Sequence, residues 1–200
     1  TLGSAQAASL DGRSVFTGDE QIRNRPIQPV LDALSQLGAK GFTIRDNDSP
    51  PFMLEGPLRG GITRVEGLNS QYVSSAILAA TLAEKESEIL VNAANETPYI
   101  EMTLQWMRFL GVEIDSSEDY NRYLVRAGQT YSSFDRAVPA DFSSASFMLI
   151  GAAITDSFLR LDGLDMDDVQ GDKILIDILL DMGADISIKK NGAEGIFVSG

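Results

Sequence analysis

The chain repeats itself, and that restricts its fold more than any single motif does. Helix-like stretches stop at Gly38, Gly111 and Gly183, spaced 73 and 72 residues apart. A second set of landmarks, Gly56, Gly128 and Gly200, closes strand-like runs at intervals of 72 and 72 residues. Two independent marker sets with one period identify three copies of one folding unit, which must stack to bury their apolar faces.

The middle copy, about residues 57–128, gives the anatomy. A Gly-rich turn precedes the strand Ile62-Thr63-Arg64-Val65, and a small-residue helix follows from about Tyr72 to Ala83. The strand Ser87 to Val91 leads to a second helix over Pro98–Leu110, with Thr97 suited to cap it and Pro98 to its first position. Gly111 supplies the left-handed stop. A hairpin of Val112–Ile114 and Arg122–Arg126 completes the copy. In the first copy Ile27, Val30, Leu31, Leu34 and Leu37 form one apolar helix face, and Asp46 to Pro51 is a dense run of turn formers. In the third, Ala184 to Ile188 alternates with period two before an Asn191-Gly192 hairpin turn. The unit reads β-α-β-α-β-β, an α/β fold with helices packed on mixed sheets. The first copy begins about 16 residues before Thr1 and the chain lacks an initiator Met, so an excerpt cut inside a repeat is expected. An incomplete unit leaves apolar faces uncovered, which invites self-association.

Composition narrows the chemistry. With no His and no Cys, the chain cannot itself form a Ser-His-Asp triad, a Cys-His dyad, a thiolate zinc site or a disulfide. Lys and Arg number 16 against 29 Asp and Glu, a net charge of −13. That balance argues against nucleic acid and anionic membranes as partners. The longest apolar stretch, Ala145–Ile154, is about half the roughly 20 residues that a membrane-spanning helix needs, and no charged-then-apolar leader opens the chain. At 44% hydrophobic, a soluble, cytoplasmic, globular protein is expected.

Two features could carry function. The first helix of a unit follows small polar residues: Asn69-Ser70-Gln71 in the middle copy, Asp141-Phe142-Ser143-Ser144 in the third. Such residues cap helices, and the unpaired N–H groups and positive dipole end they flank also attract anions. Secondly, Arg23 and Arg25 stand just before an apolar-striped helix, where a cation is unfavourable. Either Asp19 or Glu20 offsets them, or a bound phosphate or carboxylate does. The Asp-rich stretch Asp162–Asp172 lacks the Gly and terminal Glu of a calcium loop and reads as a solvated linker; no metal site is expected. There is no P-loop and no G-x-G-x-x-G.

Four ordered runs carry a family resemblance: Phe16-Thr17-Gly18-Asp19-Glu20 with Arg25-Pro26-Ile27 and Leu31-Asp32-Ala33-Leu34; Asn69-Ser70-Gln71-Tyr72 with Ser75 to Ala80; Pro98-Tyr99-Ile100-Glu101-Met102-Thr103-Leu104; and Asp141 to Ser146. Together they resemble the EPSP synthases (5-enolpyruvylshikimate-3-phosphate synthases), in the family's order and across nearly the whole chain. The sibling transferases acting on UDP-N-acetylglucosamine share the repeat without this wording.

The resemblance implies two domains, each an inside-out α/β barrel of three such units, closing on the substrates. Residues 1–137 would be the last two units of the N-terminal domain, the first of them truncated, and 138–200 the first unit of the C-terminal domain. The implied reaction transfers the enolpyruvyl group of phosphoenolpyruvate to the 5-hydroxyl of shikimate 3-phosphate, releasing phosphate, without metal or cofactor. It belongs to the shikimate pathway, towards chorismate and the aromatic amino acids, in a parent enzyme expected to be monomeric. Residue by residue, Arg25 matches the arginine that grips phosphoenolpyruvate. Ser70 and Gln71 match contacts to shikimate 3-phosphate, Gln71 also reaching towards phosphoenolpyruvate, and Tyr99 matches another shikimate contact. Asn69 stands where the family often has Ser, and Glu96 stands where it has a Ser three residues before the tyrosine; Thr97 then supplies that hydroxyl through a one-residue shift, or the contact is lost. The family's G-N-x-G-T loop and its acid-base residues find no match here, so the resemblance implies no catalytic residue in this chain and no activity for it alone. Two other readings remain: a non-catalytic repeat scaffold, and a transferase acting on a nucleotide sugar.

Overall fold

In the computed structural model, which describes residues 2–189 and 195–200, chain order follows the repeat. The first copy holds α1 (Leu2–Ala7), β1 (Arg13–Phe16), α2 (Glu20–Arg23), α3 (Gln28–Gln36), β2 (Lys40–Thr43) and β3 (Phe52–Glu55). The middle copy holds β4 (Gly61–Glu66), α4 (Ser70–Ala80), β5 (Ser87–Asn92), α5 (Thr97–Phe109), β6 (Ile114–Ser116) and β7 (Arg122–Val125). The third holds α6 (Phe142–Ala153), β8 (Phe158–Leu161), α7 (Ile174–Asp181), β9 (Asp185–Lys189) and β10 (Gly195–Ser199). The Asn191-Gly192 turn lies outside the described residues.

Strand order repeats with the sequence. The sheets run β1-β3-β2, β4-β5-β7-β6 and β8-β10-β9. Each thus places the last strand of a copy between two earlier strands of that copy, antiparallel to both. Only the middle sheet is mixed among the described residues, because β4 runs parallel to β5. The third copy departs from the expected unit: residues 126–141 contain no leading strand. Its aromatic residues are held elsewhere. The Tyr131 hydroxyl lies 3.0 Å from that of Thr81, and Phe134 packs edge-on to Trp106 with ring centroids 5.6 Å apart.

The described chain divides into two compact units, Thr1–Phe134 and Asp135–Gly200. In the first, the predicted stripe Ile27, Val30, Leu31, Leu34 and Leu37 is wholly buried. Ile100, Leu104 and Met107 do the same for α5, one turn apart. Helix α4 lies between these two cores, and its small residues Ser74, Ser75, Ala76, Ala79 and Ala80 are buried. Small side chains let α1, α3 and α5 pack around α4 at once. Polar ties fix the register: Thr63 Oγ1 donates to the Ala33 carbonyl at 3.0 Å, and the hydroxyls of Ser74 and Thr103 pair at 2.8 Å. In the second unit, Phe142, Leu149, Ile176, Ile196 and Val198 form the core, while Phe147, Ile154 and Met182 stay exposed.

Helix ends differ in detail from expectation. Helix α4 starts at Ser70 and stops at Ala80, before the sequence reading places its end. Thr97 is the first residue of α5 rather than its cap. The capping position belongs to Glu96, whose left-handed backbone (φ 52°, ψ 40°) offers no side-chain bond to its own helix.

Burial raises the phenols of Tyr120, Tyr123 and Tyr131 above the ordinary 10.0; nearby acidic groups add to this at Tyr120 and Tyr123. A raised folded value means stability that is complete below about pH 10 and lost as pH climbs through the raised values. Urea midpoints for the first unit should therefore hold steady up to about pH 10 and fall above it. A midpoint unchanged through that alkaline range would contradict the burial of these groups.

Candidate functional site

Residues with a local reason to sit at a helix start build the site. Asn69 takes an extended backbone (φ −138°, ψ 124°) ahead of α4, and its Oδ1 accepts from the Gln71 N–H at 2.8 Å. This is ordinary capping. Ser70, 5% exposed, makes an unexpected contact: its N–H and its Oγ both donate to Oε2 of Glu96, at 3.0 and 2.8 Å. The start of α4 is thereby tied to the start of α5, where Thr97 and Tyr99 are half-buried.

Arg25 follows α2 in an exposed loop and forms no ion pair among the described residues. Neither Asp19 nor Glu20 forms an ion pair with Arg23 or Arg25 among the described residues. Asp19 instead caps α2, accepting from the Ile22 N–H at 2.8 Å, and Arg23 donates only to the Asp19 backbone carbonyl at 3.3 Å. Arg25 faces a cleft of about 350 Å³ whose walls include Phe16, Thr17, Pro26, Phe52 and Gln71. A phenol holds this arrangement together: Tyr72 Oη donates to the Pro26 carbonyl at 3.1 Å, joining the first turn of α4 to the residue after Arg25. Partial burial raises the Tyr72 phenol above its ordinary value.

The predicted residues therefore fall into two linked groups. Arg25 and Gln71 share the cleft, whereas Asn69, Ser70, Thr97 and Tyr99 do not line it. Asn69 and Ser70 join it through the α4 backbone, and Thr97 and Tyr99 through the Ser70–Glu96 bond. Reading the sequence missed the roles of Tyr72 and Glu96. A tyrosine in a first helical turn fits an ordinary surface and gave no signal, whereas Glu96 stood out as a departure from the family's serine, though nothing in the sequence showed its bond to Ser70.

The third copy repeats the geometry with a closed end. Asp141 accepts from the N–H groups of Ser143 and Ser144 at 3.2 and 3.0 Å, and the Ser143 hydroxyl bonds to Asp172. The Ser144 hydroxyl, with these N–H groups, holds the Asp141 carboxyl below its ordinary value. Two carboxylates at this helix start leave it a capped end. The Asp-rich stretch is more structured than the solvated linker expected. Gln170 Oε1 accepts from the Phe142 N–H at 2.9 Å, and Lys173 donates to the Met166 carbonyl at 3.1 Å. Among the described residues no three or more Asp and Glu side chains are grouped to hold a metal ion, and no helix is long and apolar enough to cross a membrane.

The family model of EPSP synthase (3-phosphoshikimate 1-carboxyvinyltransferase) matches residues 2–198. The chain belongs to the EPSP synthase family. Among curated relatives, the 3-phosphoshikimate 1-carboxyvinyltransferase of Ruminiclostridium cellulolyticum is 44% identical over 193 residues, covering 96% of this chain and 46% of the relative. That of Methanothrix thermoacetophila is 43% identical over 199 residues, covering 98% and 46%. The solved EPSP synthase from Acinetobacter baumannii superposes on the whole chain with a TM-score of 0.75 at 25% identity, covering 46% of that structure. The chain thus spans about half the length of the EPSP synthases it matches, and the expected fold class and family both hold.

If the Tyr72 phenol holds the Arg25 loop, Tyr72→Phe should lower first-unit stability by roughly 0.5–1.5 kcal/mol, the net worth of one such hydrogen bond. Urea unfolding monitored by circular dichroism checks this; an unchanged midpoint would show that the loop is held by other contacts.

Proposed function

We propose that this chain forms part of the substrate-binding surface of an EPSP synthase. The observation that carries the reading is Arg25: a guanidinium with no carboxylate partner among the described residues, opening on the same cleft as Gln71. Such a group suits a multiply charged anion such as phosphoenolpyruvate, gripped bidentately. Asn69, Ser70, Gln71, Thr97 and Tyr99 lie at the linked starts of α4 and α5 and take shikimate 3-phosphate in this reading. Residues 1–137 belong to the N-terminal domain and 138–200 open the C-terminal one, in a monomeric cytoplasmic enzyme.

In the proposed reaction the 5-hydroxyl gives up its proton to a base as its oxygen adds to C2 of phosphoenolpyruvate, while C3 gains a proton from an acid. Loss of a C3 proton then expels phosphate and leaves the enolpyruvyl ether. The role of this chain is to hold and orient two anions; the groups that move the protons match nothing in it. Net charge works against long-range capture at −13, although it is screened beyond about 8 Å at physiological salt. Attraction is therefore local. One charge-assisted arginine contact contributes roughly 1.5–3 kcal/mol, and a partly buried helix start up to about 2 kcal/mol. Micromolar affinity needs about 8 kcal/mol, which these terms do not reach after ordering costs.

The 200-residue chain alone should show no turnover and should bind shikimate 3-phosphate only in the millimolar range. Calorimetry returning micromolar affinity would contradict this accounting. In a full-length enzyme carrying this sequence, Arg25→Ala should lower kcat/KM for phosphoenolpyruvate by roughly 10- to 150-fold. An unchanged value would remove Arg25 from the site.

A further inference from the structure

Glu96 brings a negative charge to the linked helix starts. Its carboxylate sits on the positive end of α4 and accepts from both donors of Ser70, at 3.0 and 2.8 Å. The backbone that aims it there is left-handed, uncommon for a residue with a side chain. No Lys or Arg pairs with it among the described residues. The repeat itself supplies the comparison. In the third copy Phe142 takes the place of Ser70, and its N–H donates to Oε1 of Gln170 at 2.9 Å from the corresponding loop. A neutral amide, steadied by its own bond to the Ala140 carbonyl at 3.0 Å, thus accepts from the first helical N–H, while the hydroxyl of the next residue, Ser143, goes to a carboxylate, that of Asp172.

Resting on the reading that the start of α4 receives shikimate 3-phosphate, we infer that the Glu96 carboxylate is a built-in competitor for that anion and sets how tightly it is held. A phosphate approaching Ser70 meets a hydroxyl proton and an N–H already engaged, and a like charge beside them. It binds only as the carboxylate moves away, which its exposed position permits. The residue acts through Ser70 as a positioning residue that weakens every anion at this helix start alike, so a ligand with further contacts is retained and a bare phosphate is held least.

The test is a titration of the isotopically labelled 200-residue chain, read at the Ser70 and Gln71 amide resonances, with inorganic phosphate and then shikimate 3-phosphate. Glu96→Gln keeps an acceptor for Ser70, as Gln170 does for Phe142, and removes the charge. Both anions should then bind roughly tenfold more tightly than to the parent chain, the effect of removing one nearby like charge. Glu96→Ser, which removes charge and tether together, should shift affinity in the same direction and serves if the first variant does not fold. Equal affinity in parent and variants would overturn the competitor role while leaving the anion site standing. Weaker binding by Glu96→Gln would make Glu96 a direct ligand contact and likewise overturn it. If no protein shows a response at Ser70 or Gln71, the anion site fails, and the competitor role with it.

Discussion

The hydrogen bond from Tyr72 to the Pro26 carbonyl turns a repeat scaffold into a candidate site. Arg25 belongs to the first copy and Gln71 to the second, 46 residues away in sequence. Each would be an unremarkable surface residue alone. The phenol joins the first turn of α4 to the residue after Arg25, so the exposed arginine is presented beside a helix start.

The packing around α4 gives that tie its rigid base. A helix with Ser or Ala at six of its eight buried positions has neighbours on several sides, and the cores of both copies in the first unit meet on it. Larger side chains there would push α1, α3 and α5 apart. The N-terminal end of α4 is consequently fixed by three elements at once: Asn69 caps it, Glu96 reaches it from the start of α5, and Tyr72 anchors it to the first copy.

Most of the architecture was legible in the amino-acid sequence. The glycine spacing set the copies, the Ile27-to-Leu37 stripe marked a buried helix face, and the Arg25 and Asn69-Ser70-Gln71 runs marked candidate residues of which Arg25 and Gln71 line one cleft. What escaped notice depends on contacts between distant residues. Thr97 is a chemically sound cap, yet the backbone turns left-handed at Glu96 and places the threonine inside the helix. The bond between Glu96 and Ser70 spans 26 residues and follows from that turn, for which a glutamate carries no signature. The leading strand of the third copy was inferred from the period, but Tyr131 and Phe134 dock on the preceding copy and no ladder forms. Tertiary contact overrides local pattern in each case.

The central claim is that Arg25 and Gln71 face one ligand. A phosphoenolpyruvate titration of the labelled chain, read at the Arg25 Nε–H and the Gln71 side-chain amide, tests it most directly. Both resonances should move along a single binding curve with one dissociation constant. Movement of one without the other, or two separate curves, would show that the two side chains serve different surfaces.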